Sequence, residues 1–145
     1  MKTYTEFLSE YHMQHRAPSP PDDSPLYDIS LTGTFPEDVY EANGLRWYGN
    51  HNDRDEREAY QIIKRCHGNP NAKVKIYRAC PEHVSVINSG DWVTIVENYA
   101  KSHQESRDYS SEISNDDERY HVISQVVLAK QLFTEGYFLE WGYVK

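Results

Sequence analysis

The stretch Val74-Lys75-Ile76-Tyr77-Arg78-Ala79-Cys80, closed by Pro81, decides the fold. Its β-branched residues and period-two alternation predict a strand with Val74, Ile76, Arg78 and Cys80 on one face. That register sets a guanidinium on an otherwise apolar face. An arginine held beside a core without a partner costs several kcal/mol, so such a residue grips an anion, either a carboxylate of the protein or a phosphate of a ligand. On this strand alone both partners stay open, because structural ion pairs also occupy such positions.

A length of 145 residues suits one domain with a core that needs no covalent staples. The chain carries 15 basic and 23 acidic residues, a formal charge of −8, which argues against unaided binding to a nucleic-acid backbone or an anionic membrane and favours a basic protein partner. Its two cysteines, Cys66 and Cys80, lie in no CxxC or Cys/His cluster, so no disulfide framework and no metal site is expected, only reduced, buried thiols. Without a long apolar run or an apolar secretory core, the chain is expected to be soluble and cytoplasmic.

Tyr4, Phe7, Leu8 and Tyr11 are spaced for a short amphipathic helix over residues 1 to 16. Ala17 to Pro25, with four prolines, reads as an extended linker. This divides the chain into residues 1–24 and a domain over 25–145. Leu26, Tyr27, Ile29 and Leu31 suggest a short strand, and Phe35-Pro36 a turn into a short helix at Glu37 to Tyr40. Ala59, Ile62, Ile63 and Cys66 follow helical spacing, with Asn52 or Asp53 available as cap and Gly68 and Pro70 as stops. Beyond Arg78, Asp91 to Thr94 reads as a strand. Thr94 and Glu97 have the spacing of a capping box for a helix from Ile95 to His103. Gln104 to Asp117, rich in Ser, Asp and Glu, reads as an exposed loop. The apolar run through Val122, Ile123, Val126, Val127 and Leu128 suits a central strand buried on both faces. Gln131 to Leu139 then connects to a last strand, Glu140-Trp141-Gly142-Tyr143-Val144. The class is α+β, strand-rich with a few helices packed beside the sheets. Glu140, an acid against Trp141 and Phe138, is either the structural partner of Arg78 or a catalytic group.

Three pieces in order, Ile76-Tyr77-Arg78-Ala79-Cys80-Pro81, then Ile87-Asn88-Ser89-Gly90-Asp91-Trp92-Val93-Thr94 with Tyr99-Ala100-Lys101-Ser102-His103, then Leu132-Phe133-Thr134-Glu135-Gly136 leading to Glu140-Trp141-Gly142-Tyr143, resemble the ADP-ribosyltransferase-like domain of phage and mobile-element polyvalent proteins. The upstream Pro25-Leu26-Tyr27-Asp28, Phe35-Pro36-Glu37-Asp38 and Gly68-Asn69-Pro70-Asn71-Ala72 look similar too, so the resemblance covers residues 25 to 144. It implies a split β-sandwich opening a cleft for NAD. It also implies that Arg78 holds the nicotinamide ribose and phosphate, that Thr94 orders the site, and that Glu140 stabilises positive charge as nicotinamide leaves. Tyr77, Trp92, Tyr99 and Tyr48 are candidate stacking platforms, although single aromatics more often belong to the core. His103 reads as a capping or packing histidine.

Departures from the family pattern matter as well. Phe138 stands where arginine-modifying relatives carry a second acid or glutamine, which weakens the case for an arginine acceptor. Two functions follow as expectations. One is an NAD-dependent mono-ADP-ribosyltransferase, phage-encoded, modifying a host or defence protein in the bacterial cytoplasm. The other is a non-catalytic acidic inhibitor that keeps the fold and blocks a basic site on a defence complex, as anti-CRISPR or anti-restriction proteins do.

Overall fold

The computed structural model describes residues 15–114 and 118–145, with nothing said of the side chains of 112–114. Apart from residues 15 and 16, the expected N-terminal helix lies outside the described residues. Among the described residues the fold is mixed α+β, with two antiparallel sheets and three α-helices. Strands β1 (Ser24–Pro25), β5 (Leu132–Thr134), β6 (Trp141–Tyr143) and β3 (Trp92–Val93) form one sheet in that order. Strands β2 (Lys73–Pro81) and β4 (Tyr120–Leu128) form the other, in continuous register from Lys73 opposite Leu128 to Pro81 opposite Tyr120.

The alternation of β2 is realised: Val74, Ile76 and Cys80 are all buried, while the Arg78 side chain keeps about 30% of its exposure. Helix α1 covers Gly44–Tyr48, and α2 covers Arg54–Cys66. Asp53 caps α2 by accepting from the amides of Asp55 and Glu56, and Ala59, Ile63 and Cys66 seal its inner face. Both thiols are free and buried. The core lies between α2, β2 and the four-stranded sheet, where Trp141, Phe138, Ile63, Ile76 and Leu132 are almost fully enclosed.

Several local expectations are corrected. Leu26 to Leu31 is a chain of turns, because the Asp28 carboxylate accepts from both the amide and the hydroxyl of Ser30 and offers the backbone an alternative to a ladder. Leu26 and Ile29 are buried, but Leu31 is exposed. The Glu37 to Tyr40 turn is a 3-10 helix. Helix α3 runs Glu97–Ser114, through most of the stretch read as a loop. Polar composition disguised it, although i,i+4 contacts such as Lys101 to Glu97 (3.2 Å) and Gln104 to Asp108 (3.2 Å) suit a solvated helix. Strand β4 is no central strand: among the described residues it pairs with β2 alone, and Val126 is exposed. Strand β5 lies inside the segment read as a connection.

The proline-rich segment packs rather than hangs free. Ala17 and Pro18 are buried, and a Cβ on Gly142 would stand 1.9 Å from the carbonyl oxygen of Pro18, so β6 requires glycine at that crossing. No helix among the described residues is long and apolar enough to cross a membrane.

Candidate active site

One backbone bridge links the two sheets among the described residues. Tyr77 of β2 and Thr94, just past β3, exchange backbone hydrogen bonds of 2.9 Å in both directions. This bridge fixes Thr94 beside Arg78, and α3 begins three residues later. Thr94 is therefore a bridging residue and not the N-cap; its Oγ1 accepts from the Val96 amide at 3.3 Å, a local turn that precedes the helix.

Around the bridge opens a cavity of about 240 Å³. Arg78, Thr94, Glu140, Tyr99, Trp92 and Tyr77 all line it, although they come from β2, β3, α3 and the turn before β6. His103, Arg107 and Tyr120 complete its polar wall. Tyr48 does not line it: its hydroxyl donates to Asp38 Oδ1 (2.6 Å) and its ring meets Phe35 edge-on. Phe138 is packed in the core against Phe35 and Tyr60 and leaves no polar group at that position.

Glu140 sits immediately before β6 and is 7% exposed. Tyr99, in the first turn of α3, donates its hydroxyl to Glu140 Oε1 at 2.6 Å. Burial raises the carboxyl to about 8, against the pull of the Tyr99 hydrogen bond, and Glu135 adds to the rise. At neutral pH the group is therefore mostly protonated. Arg78 is not its partner. No ion pair joins the two, and Arg78 Nε lies 3.9 Å from Asp91 Oδ2, too long for a hydrogen bond.

No protein-family model, curated protein or solved structure matches the chain.

Three wall residues share one face of α3, since Tyr99, His103 and Arg107 recur every fourth residue. Burial, reinforced by the guanidinium groups of Arg107 and Arg78, holds the His103 imidazole down to about 4, so it is neutral at physiological pH. Arg107 Nη2 donates to the Tyr120 hydroxyl at 3.0 Å while its guanidinium lies 4.9 Å from that ring's centroid. Sequence reasoning gave His103 only a structural role and missed Arg107 and Tyr120. Extending the helix past His103 would have exposed the four-residue stripe. Beneath the cavity, burial raises the Cys80 thiol, so it is a poor nucleophile.

Chemically, the described residues of the wall offer two guanidinium groups, a neutral imidazole and one mostly protonated carboxyl. It is a cationic pocket in an acidic chain. No group of side chains among the described residues is arranged to hold a metal ion. A second hollow of about 370 Å³ lies across Tyr77, rimmed by Arg65, Lys73, Lys75 and Glu58, and lacks a buried titratable group.

Proposed function

We propose that the protein is an NAD-dependent mono-ADP-ribosyltransferase, a phage-encoded effector that modifies a host or defence protein, built on the split β-sandwich its motifs resemble. The observation that carries this is the convergence of Arg78, Thr94, Tyr99 and Glu140 from separate elements on one cavity, where Glu140 is the one carboxyl among the described lining residues and is buried.

The donor set suits the reactive half of NAD. Arg78 supplies a fork for phosphate or ribose oxygens, and Tyr77, Trp92 and Tyr99 supply aromatic surface for a planar ring. At about 240 Å³ the cavity is just below the range of roughly 300–1,000 Å³ for pockets that enclose a drug-sized ligand, so it accommodates the nicotinamide-ribose end and not the whole dinucleotide. NAD, when bound, supplies a glycosidic bond with a cationic leaving group. Glu140 is the residue to answer that charge: a nearby cation draws its proton off, and the resulting carboxylate stabilises positive charge growing on the ribose. Tyr99 orients Glu140. Thr94 ties the two sheets together and keeps Arg78 in register with the cavity. Because Phe138 provides no second polar group, the acceptor must bring its own nucleophile of adequate strength, or water takes its place.

The test is mass spectrometry of host lysate incubated with NAD and either the wild type or Glu140→Gln, with free nicotinamide measured alongside. Adducts of one ADP-ribose that require Glu140 are expected. Nicotinamide release without adducts would make the enzyme an NAD glycohydrolase. If neither is seen and the chain instead co-purifies with a basic host complex, the charge of −8 is the functional feature and the protein acts as a non-catalytic inhibitor. Arg78→Ala is expected to weaken NAD binding about tenfold or more, the loss of a charge-assisted contact worth roughly 1.5–3 kcal/mol.

A further inference from the structure

We infer that Arg107, backed by Tyr120 and flanked by His103, forms a phosphate subsite at the end of the cavity away from Glu140. The placement follows from α3. Tyr99 binds Glu140, and Arg107 lies eight residues further along the same helix face, about 12 Å down the axis. The cavity therefore has a carboxyl end and a guanidinium end, with Arg78 of β2 and His103 between them. None of the residues carried over from the family resemblance occupies the guanidinium end.

Arg107 is set as a fixed anion fork. One Nη donates to Tyr120, whose ring also faces the guanidinium, and Tyr120 is itself held by its pairing with Pro81 and by its amide donating to Asp108 Oδ1 at 2.8 Å. An arginine has five N–H donors, and Tyr120 accepts from one of them. No carboxylate among the described residues stands within ion-pair distance of Arg107. The neighbouring Asp108 accepts instead from Gln104 and from the Tyr120 amide. A clamped guanidinium with spare donors, facing a second arginine across a neutral imidazole, lacks an acceptor-rich partner. A phosphoryl or diphosphoryl group supplies several oxygens and the opposite charge. His103, held neutral by burial and by both arginines, flanks the site without adding a third cation. The subsite does not depend on the ADP-ribosyl reading, because any ligand with a phosphate would satisfy it; under that reading it holds the diphosphate.

Isothermal titration calorimetry on the full chain with inorganic pyrophosphate, ADP, NAD and nicotinamide riboside tests it, using wild type, Arg107→Ala, Arg107→Lys and the exposed-site control Lys130→Ala. Arg107→Ala should weaken pyrophosphate and ADP binding about tenfold or more, with riboside binding changed less than about twofold. Arg107→Lys should recover only part of the loss, since an ammonium lacks the fork, and Lys130→Ala should bind like wild type. An unchanged ADP affinity in a folded Arg107→Ala protein would overturn the subsite, as would a wild type that binds neither pyrophosphate nor ADP. Equal losses in Arg107→Ala and Lys130→Ala would reduce the effect to general charge and overturn it too. Arg107-dependent binding of pyrophosphate and ADP without any binding of riboside or NAD would uphold the subsite and remove the ADP-ribosyl reading instead.

Discussion

Glu56 and Glu140 are equally hidden, each 7% exposed, and burial raises the pKa of both, yet they sit in opposite kinds of surroundings. Glu56, in the first turn of α2, turns its Oε1 onto the Asn50 amide at 3.1 Å, beside Gly49, where even a Cβ would come within 3.0 Å. Its partner is six residues away, and the bond closes the turn that leads into the helix. Glu140 takes its bond from a tyrosine 41 residues distant on another element, and its remaining surroundings include a cavity wall with two arginines. Burial and a raised pKa therefore do not mark a functional carboxyl by themselves. What sets the two apart is position: Glu56 is bonded by the backbone next to its own helix, whereas Glu140 lines a cavity shared by several elements.

The sharpest way to break this contrast is to neutralise each acid in turn. Glu140→Gln should lower the rate of nicotinamide release by about a hundredfold or more, the scale of losing one preorganised electrostatic contact to a developing charge. Its melting temperature should hold, because an amide replaces a carboxyl that is mostly protonated at rest. Glu56→Gln should do the reverse, keeping turnover within about twofold while costing about 1 kcal/mol of stability through a weakened bond to the Asn50 amide. Thermal denaturation beside a nicotinamide assay separates the two. Loss of turnover in Glu56→Gln with retention in Glu140→Gln would reverse the assignment.

Titration gives the next largest effect. If the ionised form of Glu140 is the working one, kcat/KM should climb about tenfold per pH unit up to about 8 and level off above it. The kcat profile should turn at lower pH, since a bound cation favours the carboxylate. Stability runs the other way. Between its ordinary value and about 8, Glu140 binds more protons folded than unfolded, so stability falls as pH rises through that window. His103, lowered to about 4, acts oppositely: the unfolded chain binds the extra proton between about 4 and 6.5, and stability rises with pH there. Above 6.5 His103 is silent. Urea unfolding from pH 6.5 to 8 should therefore show a decline in wild type that flattens in Glu140→Gln, and an identical slope in both would remove Glu140 as its source.

What the sequence showed of this site follows the range over which each signal acts. Strand β2 was legible because alternation is local, and the Asp53 cap of α2 because a cap needs only its own turn. Arg78 and Glu140 stand out from local pattern, and motif order adds Thr94 and Tyr99 to them, but their meeting depends on the Tyr77–Thr94 bridge, which pairs residues no local pattern connects. The same limit misplaced β4: Val126 and Val127 adjoin in an apolar run, yet one is exposed and the other buried, because the ribbon has cover on one side only. Arg107 was lost with the outer half of α3, where a serine-rich and acid-rich composition outweighed a weak four-residue stripe.

The smallest expected effect sharpens the contrast most, because it separates positioning from mere packing. Tyr99→Phe keeps the ring that meets Tyr137 edge-on and removes only the hydroxyl that Glu140 Oε1 accepts from. That bond lowers the Glu140 pKa, so losing it should move the carboxyl further up and carry the kcat/KM midpoint above 8. At pH 7 the rate should fall only several-fold, with about 1 kcal/mol or less lost in stability. Raising the pH should restore most of the rate, because a higher pH ionises the same carboxyl without the tyrosine's help. A residue that only packs would depress the rate equally at every pH. The pH profile of Tyr99→Phe decides between them: a midpoint displaced upward makes Tyr99 the residue that readies Glu140 for charge, whereas an unmoved midpoint leaves it a wall of the cavity like any other.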